Sequence, residues 1–310
     1  MRTAVFGAGA VGGYFGGRLA QAGEDVALVA RGEHLKAIRK NGLRVKSIEG
    51  DFTVDPIQAT DDPAEIGEVD AVLVAVKAWQ VPDAALAMRP MVGPETSVVP
   101  LENGVEAPSQ LASALGEQHV LGGLCKIIST LSEPGTISHT GISPIIAFGE
   151  LDGHLSARAE KLRQAFDRAH GVRASIPPDI RVAMWEKFLF IASFSGMGAV
   201  TRAPVGVLRT LPETRQMLER AMREIVLLAQ ARDIDLSMEA VSETMAFVDD
   251  LPPEGTASMQ RDVIAGRPSE LESQNGAVVR FGQATGVDTP LHSFIYRSLL
   301  PQELRARRQM

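Results

Sequence analysis

The stretch Gly7-Ala8-Gly9-Ala10-Val11-Gly12 decides how the first half of this 310-residue chain folds. It has the spacing GxGxxG, follows the apolar run Thr3–Phe6 and opens a helical pattern over Val11–Ala22. In a strand–turn–helix unit, the first glycine permits a tight turn, the second lets the backbone approach a pyrophosphate, and the third packs the helix on the strand. The positive end of the helix then faces the anion. The pattern predicts a dinucleotide-binding loop, and a glycine-rich turn without a ligand is the alternative.

Strand-like and helix-like segments alternate through the rest of the first half. The strand candidates are Thr3–Phe6, Asp25–Val29, Ala71–Val76 and Ser97–Leu101, and the helical patterns include Val11–Ala22 and His34–Lys40. The run Ala71–Val76 is apolar throughout, as expected for a strand that is covered on both faces. The alternation predicts a parallel sheet with helices on both sides, in an α/β Rossmann-like N-terminal domain.

The second half of the chain has a different pattern. Around Pro134–His139 it becomes hairpin-like, and long helical patterns follow from about Asp179. These helical patterns are Ile180–Met197, Glu213–Arg232, Met238–Val248 and Leu271–Thr285. A proline pair, Pro177-Pro178, stands just before the first of them. We therefore expect a Rossmann-like domain over residues 1–178 and an all-helical C-terminal domain over residues 179–310.

Composition excludes several classes of protein. With 45% hydrophobic and 22% charged residues, the chain is neither disordered nor fibrous. A net charge of −7 argues against nucleic-acid or anionic-membrane partners. The single Cys125 excludes an internal disulfide framework and a multi-thiolate metal site, and it fits a reducing cytosol.

The sequence has no pattern typical of secretion, membrane insertion or metal binding. No cationic segment precedes an apolar stretch at the start, so we expect no signal peptide. The charge-free stretch Phe188–Thr201 is shorter than the roughly 18 to 20 residues that span a bilayer, which predicts a buried helix and no membrane partner. The six histidines show no ligand spacing, so we expect no metal. We expect a cytoplasmic protein, and its oligomeric state stays open, with a homodimer among the options.

Arg31 favours NADP(H) over NAD(H). NAD-selective folds usually place an acidic residue at the end of the second strand to bind the ribose 2′-hydroxyl. Here the second strand ends in Ala30-Arg31-Gly32, and Glu33 lies past the glycine at a helix start. The guanidinium of an arginine suits a 2′-phosphate. A solvated surface arginine is the alternative.

Lys77 and Asn103 follow two further predicted strands. Ligands of open α/β sheets bind outside the carboxyl ends of the strands, where the glycine loop and Arg31 are also expected. Each residue alone is more often an ordinary loop residue, but their shared location favours a site. Lys77 would serve as a cation, and Asn103 would offer a donor and an acceptor to the ribose or the nicotinamide.

Lys187 stands directly before the charge-free stretch of a predicted buried helix. A lysine at this place usually extends to solvent. The alternative is a desolvated ammonium that protonates a carbonyl oxygen as hydride arrives at the carbon. Such a group needs a counter-charge, for which Glu270 is a candidate.

Taken together, these segments resemble the ketopantoate (2-dehydropantoate) 2-reductase family. The resemblance is carried by Gly7–Gly12, Arg31, Lys77-Ala78-Trp79-Gln80, Asn103-Gly104, Trp185-Glu186-Lys187, Ser258-Met259, Asp262, Glu270 and Thr289-Pro290. It implies a two-domain reductase whose Rossmann domain holds NADPH and whose helical domain carries substrate binding and catalysis. It implies that Lys187 is the catalytic lysine and that Lys77 and Asn103 line the cofactor and reaction site. It also implies that Ser258 binds substrate and that Glu270 contacts the cofactor ribose or the catalytic lysine.

The chain departs from the family pattern at the substrate positions. The family usually places asparagines four and eight residues after the catalytic lysine, where this chain has Ile191 and Ser195, and a further asparagine corresponds to Gly255. Losing a buried amide partner costs about 1–3 kcal/mol for a substrate that needs it. Either the substrate is held differently, or it is another, less polar 2-oxo acid.

The main hypothesis is NADPH-dependent reduction of 2-dehydropantoate to pantoate in pantothenate synthesis, with Lys187 as general acid. A paralogous reductase of another 2-oxo or 3-hydroxy acid is the first alternative. A non-catalytic NADP(H)-binding sensor or partner protein is the second.

Overall fold

A computed structural model describes residues 1–309. The strands are β1 (Arg2–Phe6), β2 (Asp25–Val29), β3 (Leu43–Ser47), β4 (Phe52–Val54), β5 (Gln58–Thr60), β6 (Ala71–Val74), β7 (Ser97–Pro100), β8 (Gly122–Glu133), β9 (Thr136–Gly149) and β10 (Arg173–Ser175). The helices are α1 (Ala10–Gln21), α2 (Gly32–Asn41), α3 (Val81–Ala87), α4 (Ala107–Leu115), α5 (Ala157–Asp167), α6 (Ile180–Thr201), α7 (Val205–Thr210), α8 (Pro212–Gln230), α9 (Glu239–Asp250), α10 (Ser258–Ile264), α11 (Ala277–Thr285) and α12 (Pro290–Ala306). A single turn of π-helix, Glu272–Gly276, leads into α11.

The chain forms two compact units. The first comprises residues 1–102 and 107–180, and the second comprises residues 103–106 and 181 onward. Within residues 1–309, all ten strands lie in the first unit, and α6, apart from its first residue Ile180, lies in the second together with α7 to α12. The predicted fold class, an α/β Rossmann-like half followed by a helical half, is therefore confirmed.

A parallel five-stranded sheet forms the centre of the first unit. Its strand order is β5-β2-β1-β6-β7, and every neighbouring pair runs parallel. Strand β6 is buried along its whole length, as its continuously apolar sequence predicts. Because β2, β1 and β6 are adjacent and parallel, the segments that follow them emerge at one edge of the sheet.

A second sheet, which the sequence pattern did not predict, completes this unit. Strands β8 and β9 form a long antiparallel hairpin with its turn at Pro134-Gly135, and β9 also pairs in parallel with β3 and β10. The Pro134–His139 pattern indicated only the hairpin turn. The sheet escaped prediction because β3 and β9 are about ninety residues apart in sequence, and pairing over such a separation has no local signature.

Helix α1 lies between the two sheets, which fixes the glycine loop at its start. A methyl group at Gly12 or Gly16 would press on Val5 of β1, and one at Gly17 would touch Leu43 of β3. Arg18, also on α1, is buried and donates to Tyr14, Gln21, Ser47 and the carbonyls of Glu49 and Gly50. The loop therefore begins a helix that is held on both sides.

The helical unit has its own apolar core, and α6 supplies the largest part of it. The predicted buried helix over Phe188–Thr201 lies within α6, and its buried side chains include Phe188, Leu189 and Met197. Among residues 1–309, no helix is both long enough and apolar enough to cross a membrane.

Candidate active site

The glycine loop follows β1 and is hydrogen-bonded to β2. The amides of Gly7 and Ala8 donate to the carbonyl of Val29, at 3.2 and 2.9 Å. Gly7 has a φ of +98°, in the left-handed region, and a Cβ there would lie 2.9 Å from the carbonyl oxygen of Ala75. Glycine is therefore required at this turn for two reasons, its backbone angle and the nearby carbonyl.

Gly9 and Gly12 differ in what surrounds them. A Cβ at Gly12 would lie 2.3 Å from the carbonyl oxygen of Gly7, so this glycine permits close packing inside the loop. A Cβ at Gly9 would meet no atom within 4 Å, because this residue faces the open side of the loop at the start of α1. An open, side-chain-free surface at a helix N-terminus fits a bound pyrophosphate.

His34 holds this loop, a role that the sequence pattern did not reveal. The amide of Gly135, in the turn of the β8–β9 hairpin, donates to Nδ1 of His34 at 2.9 Å. The proton of the neutral ring is then on Nε2, which donates to the carbonyl of Ala8 at 2.7 Å. His34 thus ties the loop to the second sheet.

Arg31 and Lys77 emerge at the same edge of the parallel sheet as the glycine loop. Arg31 is the exposed residue that precedes α2, directly after β2. Lys77 follows β6, is exposed, and has its Nζ 5.8 Å from the centre of the Trp79 ring. Glu33 forms an ion pair with Lys36 on the surface of α2.

Lys187 lies on the second turn of α6 and is half-buried. Trp185 and Phe188, its near neighbours in sequence, are buried in the core of the helical unit. Lys187 is the only lysine beyond residue 161, so arginine supplies the other cationic side chains of α6 to α12. An ammonium can release a proton near neutral pH when its surroundings favour it, and a guanidinium cannot.

Glu270, the predicted counter-charge, is buried and hydrogen-bonded to two amides. Its Oε2 accepts from Asn103 Nδ2 at 3.0 Å and from Gln274 Nε2 at 3.2 Å. Among the described residues, no hydrogen bond or ion pair joins Glu270 to Lys187. The structure therefore brings together two of the predicted site residues, Asn103 and Glu270, through a direct contact.

A buried carboxylate on α12 fixes the backbone directly before Glu270. Glu303 accepts from the amide of Ser269 at 3.1 Å and from its hydroxyl at 2.5 Å. Arg307 donates to Glu303 at 2.6 Å and to the carbonyl of Ser269 at 2.8 Å. The carboxyl group of Glu303 lies 33 residues beyond Glu270 in sequence, so no local pattern could have indicated this arrangement.

The predicted substrate residues occupy different environments. Ile191 is partly exposed on α6, whereas Ser195 is fully buried and its Oγ has no hydrogen-bond partner among the described residues. Ser258 is the first residue of α10 and is half-buried. A Cβ at Gly255 would lie 3.0 Å from the carbonyl oxygen of Pro252, because the Gly255 amide donates to that oxygen at 2.8 Å in a tight turn.

The helical unit also contains a buried polar cluster that sequence reasoning missed. Asn275, in the π-helical turn, donates to the carbonyl of Ala192 and to Nδ1 of His292. Nε2 of His292 donates to the carbonyl of Ala221, and burial lowers the pKa of His292 to about 4. Glu224 accepts from the amides at the start of α12, and burial raises its pKa.

No group of three or more histidine, cysteine, aspartate or glutamate side chains within residues 1–309 has an arrangement that could hold a metal ion. The polar groups described above are amides, hydroxyls, single carboxylates and cations. They can bind anions, orient polar atoms and move a proton.

Comparison with known families decides the class. Residues 3–153 match the family described as "Ketopantoate reductase PanE/ApbA", and residues 179–303 match its C-terminal counterpart, "Ketopantoate reductase PanE/ApbA C terminal". The chain belongs to the ketopantoate reductase family. The resemblance inferred from the sequence is thereby confirmed, and the chain is an oxidoreductase of this family.

Individual proteins match this chain over nearly their full length. The crystal structure of 2-dehydropantoate 2-reductase from Geobacter metallireducens GS-15 is 32% identical with a TM-score of 0.90, over 97% of this chain and 99% of that one. An uncharacterized oxidoreductase of Bacillus subtilis, YkpB, is 29% identical over 96% of this chain and 98% of its own.

The same fold also occurs in a protein named as a dehydrogenase. A ternary structure of D-mandelate dehydrogenase with NADH and anilino(oxo)acetate has a TM-score of 0.89 at 23% identity, and it covers 99% of each chain. At this identity the likeness concerns the fold alone.

Proposed function

We propose that this chain reduces a 2-oxo acid to the corresponding 2-hydroxy acid with NADPH. The first substrate to consider is 2-dehydropantoate, which is named for the relative from Geobacter and for several others. Its reduction would give pantoate. The small-molecule substrate is the partner that this reaction requires.

The first unit holds the cofactor in this proposal. The loop Gly7–Gly12 binds the pyrophosphate, and the open side of Gly9 gives it room. Arg31 pairs with the 2′-phosphate, which selects NADPH over NADH. Lys77 of this unit, and Asn103 of the second unit, bind further polar groups of the cofactor or substrate.

The second unit supplies the proton. Bound NADPH would supply the hydride that reduces the carbonyl carbon. Lys187 donates a hydrogen bond to the carbonyl oxygen, stabilises the negative charge that develops there and transfers its proton to give the hydroxyl group. The neutral amine is then reprotonated from water. Glu270, oriented by Asn103 and Gln274, binds a hydroxyl group of the cofactor ribose or acts on the charge state of the lysine.

The observation that carries the proposal is the environment of Lys187. It is the only lysine beyond residue 161, and it is half-buried on α6 directly before the charge-free stretch Phe188–Thr201. An ammonium at this position can donate a hydrogen bond and then a proton to a carbonyl oxygen of the substrate.

Replacing Lys187 tests the proposal. With 2-dehydropantoate and NADPH, Lys187→Ala is expected to lower kcat by about 100- to 10,000-fold while the Kd for NADPH changes little. Lys187→Arg keeps the positive charge but cannot release a proton, so it should be nearly as impaired. Near wild-type turnover by Lys187→Ala would contradict the proposed role.

A second candidate is a reductase of another 2-oxo or 3-hydroxy acid, which the isoleucine at position 191 favours. An aliphatic side chain cannot hydrogen-bond a hydroxylated substrate. Consumption of NADPH with a panel of 2-oxo acids, and formation of NADPH with 3-hydroxy acids and NADP⁺, separates the candidates. A non-catalytic sensor would bind NADPH and turn over none of them.

A further inference from the structure

The face of α6 that carries Lys187 is apolar beyond the lysine. At 100° per residue, Phe190, Ile191 and Phe194 lie three, four and seven positions after Lys187 on the same side of the helix. Phe190 and Phe194 stack on each other, with ring centres 5.3 Å apart and planes 18° apart. The lysine therefore has aromatic and aliphatic neighbours along its own helix.

A second helix extends this apolar surface. Phe247 of α9 packs edge-on against Phe190, with ring centres 5.2 Å apart, and half of its side chain is exposed. Phe190 and Ile191 are also only partly covered by the core of the helical unit. We call Phe190, Phe194 and Phe247 the phenylalanine cluster.

One exposed phenylalanine is ordinary on a protein surface. Here the partly exposed rings are joined to one another and begin one helical turn from Lys187. Ser195, the nearest hydroxyl on this side of α6, is fully buried. A substrate group that lies along this face of α6 would thus meet rings and an aliphatic side chain.

We propose that the preferred substrate of this chain is a 2-oxo acid with an apolar substituent, aromatic or branched aliphatic, on the carbonyl carbon. Phe190, Ile191 and Phe247 contact this substituent and determine specificity. The inference rests on the proposed role of Lys187 as proton donor. A hydroxyl group on the substituent would lose water on this surface without gaining a partner, which disfavours hydroxylated substrates.

Two matched substrates test the preference. The acid 3,3-dimethyl-2-oxobutanoate differs from 2-dehydropantoate only in lacking one hydroxyl group, and phenylglyoxylate carries an aromatic ring. With NADPH, we expect kcat/KM for both apolar acids to exceed that for 2-dehydropantoate by at least tenfold. A tenfold preference for 2-dehydropantoate, or equal values, overturns the inference.

Variants locate the preference on the protein. Phe247→Ala is expected to lower kcat/KM for phenylglyoxylate about tenfold and to change that for pyruvate, which has only a methyl group, by less than threefold. Phe294→Ala is the matched control, because Phe294 is 54% exposed in the same unit but lies on α12. Ile191→Asn should shift the preference towards 2-dehydropantoate.

The outcomes separate the two proposals. If Phe247→Ala lowers kcat/KM for phenylglyoxylate no more than Phe294→Ala does, the phenylalanine cluster does not bind substrate. If Phe247→Ala does not fold, Phe247→Trp is assayed in its place. The larger side chain of this variant should lower kcat/KM for phenylglyoxylate more than kcat/KM for pyruvate. If no 2-oxo acid is reduced with NADPH or NADH, the proposed function itself fails. Preferential turnover of 2-dehydropantoate leaves that function standing and overturns only the apolar specificity.

Discussion

Asn103 donates a hydrogen bond from Nδ2 to Oε2 of Glu270 at 3.0 Å, although 167 residues separate the two in sequence. Gln274 donates to the same oxygen. Because Glu270 is buried, these amides take the place of water around its carboxyl group. A residue that follows β7 thus belongs to the helical unit and orients a carboxyl group there.

Replacing Asn103 should therefore affect stability in a pH-dependent way. Asn103→Ala removes one donor and should lower the free energy of unfolding by about 1–3 kcal/mol. Asn103→Asp places two carboxyl groups within hydrogen-bond reach, so one of them holds a proton in the folded state with a raised pKa. This bound proton stabilises the folded state of Asn103→Asp at low pH. The stabilisation is lost as the pH rises through the raised pKa of the carboxyl pair. Urea unfolding at pH 5 and pH 8 should show a larger deficit for Asn103→Asp at pH 8, and an equal deficit at both would contradict this account.

Substitutions at Gly9 and Gly12 should have different effects, one on cofactor binding and the other on the stability of the fold. Gly9→Ala points a methyl group into the open side of the loop, so the melting temperature should hardly change while the Kd for NADPH rises at least tenfold. Gly12→Ala forces a methyl group against the carbonyl of Gly7 and should destabilise the first unit by about 3 kcal/mol. Calorimetric melting and fluorescence titration measure the two quantities. Unchanged NADPH binding by Gly9→Ala would remove this loop from the cofactor site.

Arg31 should decide between the two nicotinamide cofactors. Arg31→Ala is expected to raise the Kd for NADPH by roughly 10- to 100-fold, which corresponds to losing a hydrogen bond between charged groups, and to leave the Kd for NADH unchanged. Lys40→Ala is the matched control, since Lys40 is an exposed cation on α2, the helix that Arg31 precedes. If Arg31→Ala binds NADPH as tightly as the wild-type chain, the assignment of NADPH is wrong.

His292 should make the helical unit sensitive to acid. Burial lowers its pKa from 6.5 to about 4, so below pH 6.5 the unfolded chain binds a proton that the folded chain does not. The associated stability is complete above pH 6.5 and is lost as pH falls towards 4, which amounts to about 2 kcal/mol between pH 7 and pH 4.5. Urea unfolding at pH 7 and pH 4.5 should show that the free energy of unfolding of His292→Gln does not fall by this amount. Glu224 is present in both proteins, so its contribution to the pH dependence largely cancels when their free energies of unfolding are subtracted.

An exposed histidine serves as the control for that measurement. His170→Gln should lose the same stability on acidification as the wild-type chain. Equal pH dependence in wild type and His292→Gln would mean that His292 titrates normally in the folded state.

Local sequence patterns were sufficient for much of the first unit. Strand β2 has the predicted bounds Asp25–Val29, and α1 begins one residue before its predicted start. The glycines of the loop can be read from sequence because the steric needs of a tight turn act between residues that are near each other in the chain. Helices α6 and α8 were likewise predicted, since long runs with a helical period are a strong local signal.

The second sheet and most polar contacts of the site had no such signal. Sheet pairing such as that of β3 with β9, and hydrogen bonds such as that of His34 with Gly135, join segments far apart in sequence. The pattern over Leu271–Thr285 predicts one helix, but the turn Glu272–Gly276 is π-helical, and Asn275 in it is buried and donates to the carbonyl of Ala192. A helical period in the sequence does not distinguish an extra residue in one turn.

The sequence by itself determined the glycine loop, its parallel strands, the position of Arg31 after β2 and the presence of a lone lysine directly before a charge-free helical stretch. These features depend on residue size, charge and short-range spacing. Only the tertiary structure decided that Glu270 is held by Asn103 rather than by Lys187, and that Phe247 joins Phe190 beside that lysine. Such contacts depend on which surfaces pack together, and burial then selects partners that no spacing in the chain could specify.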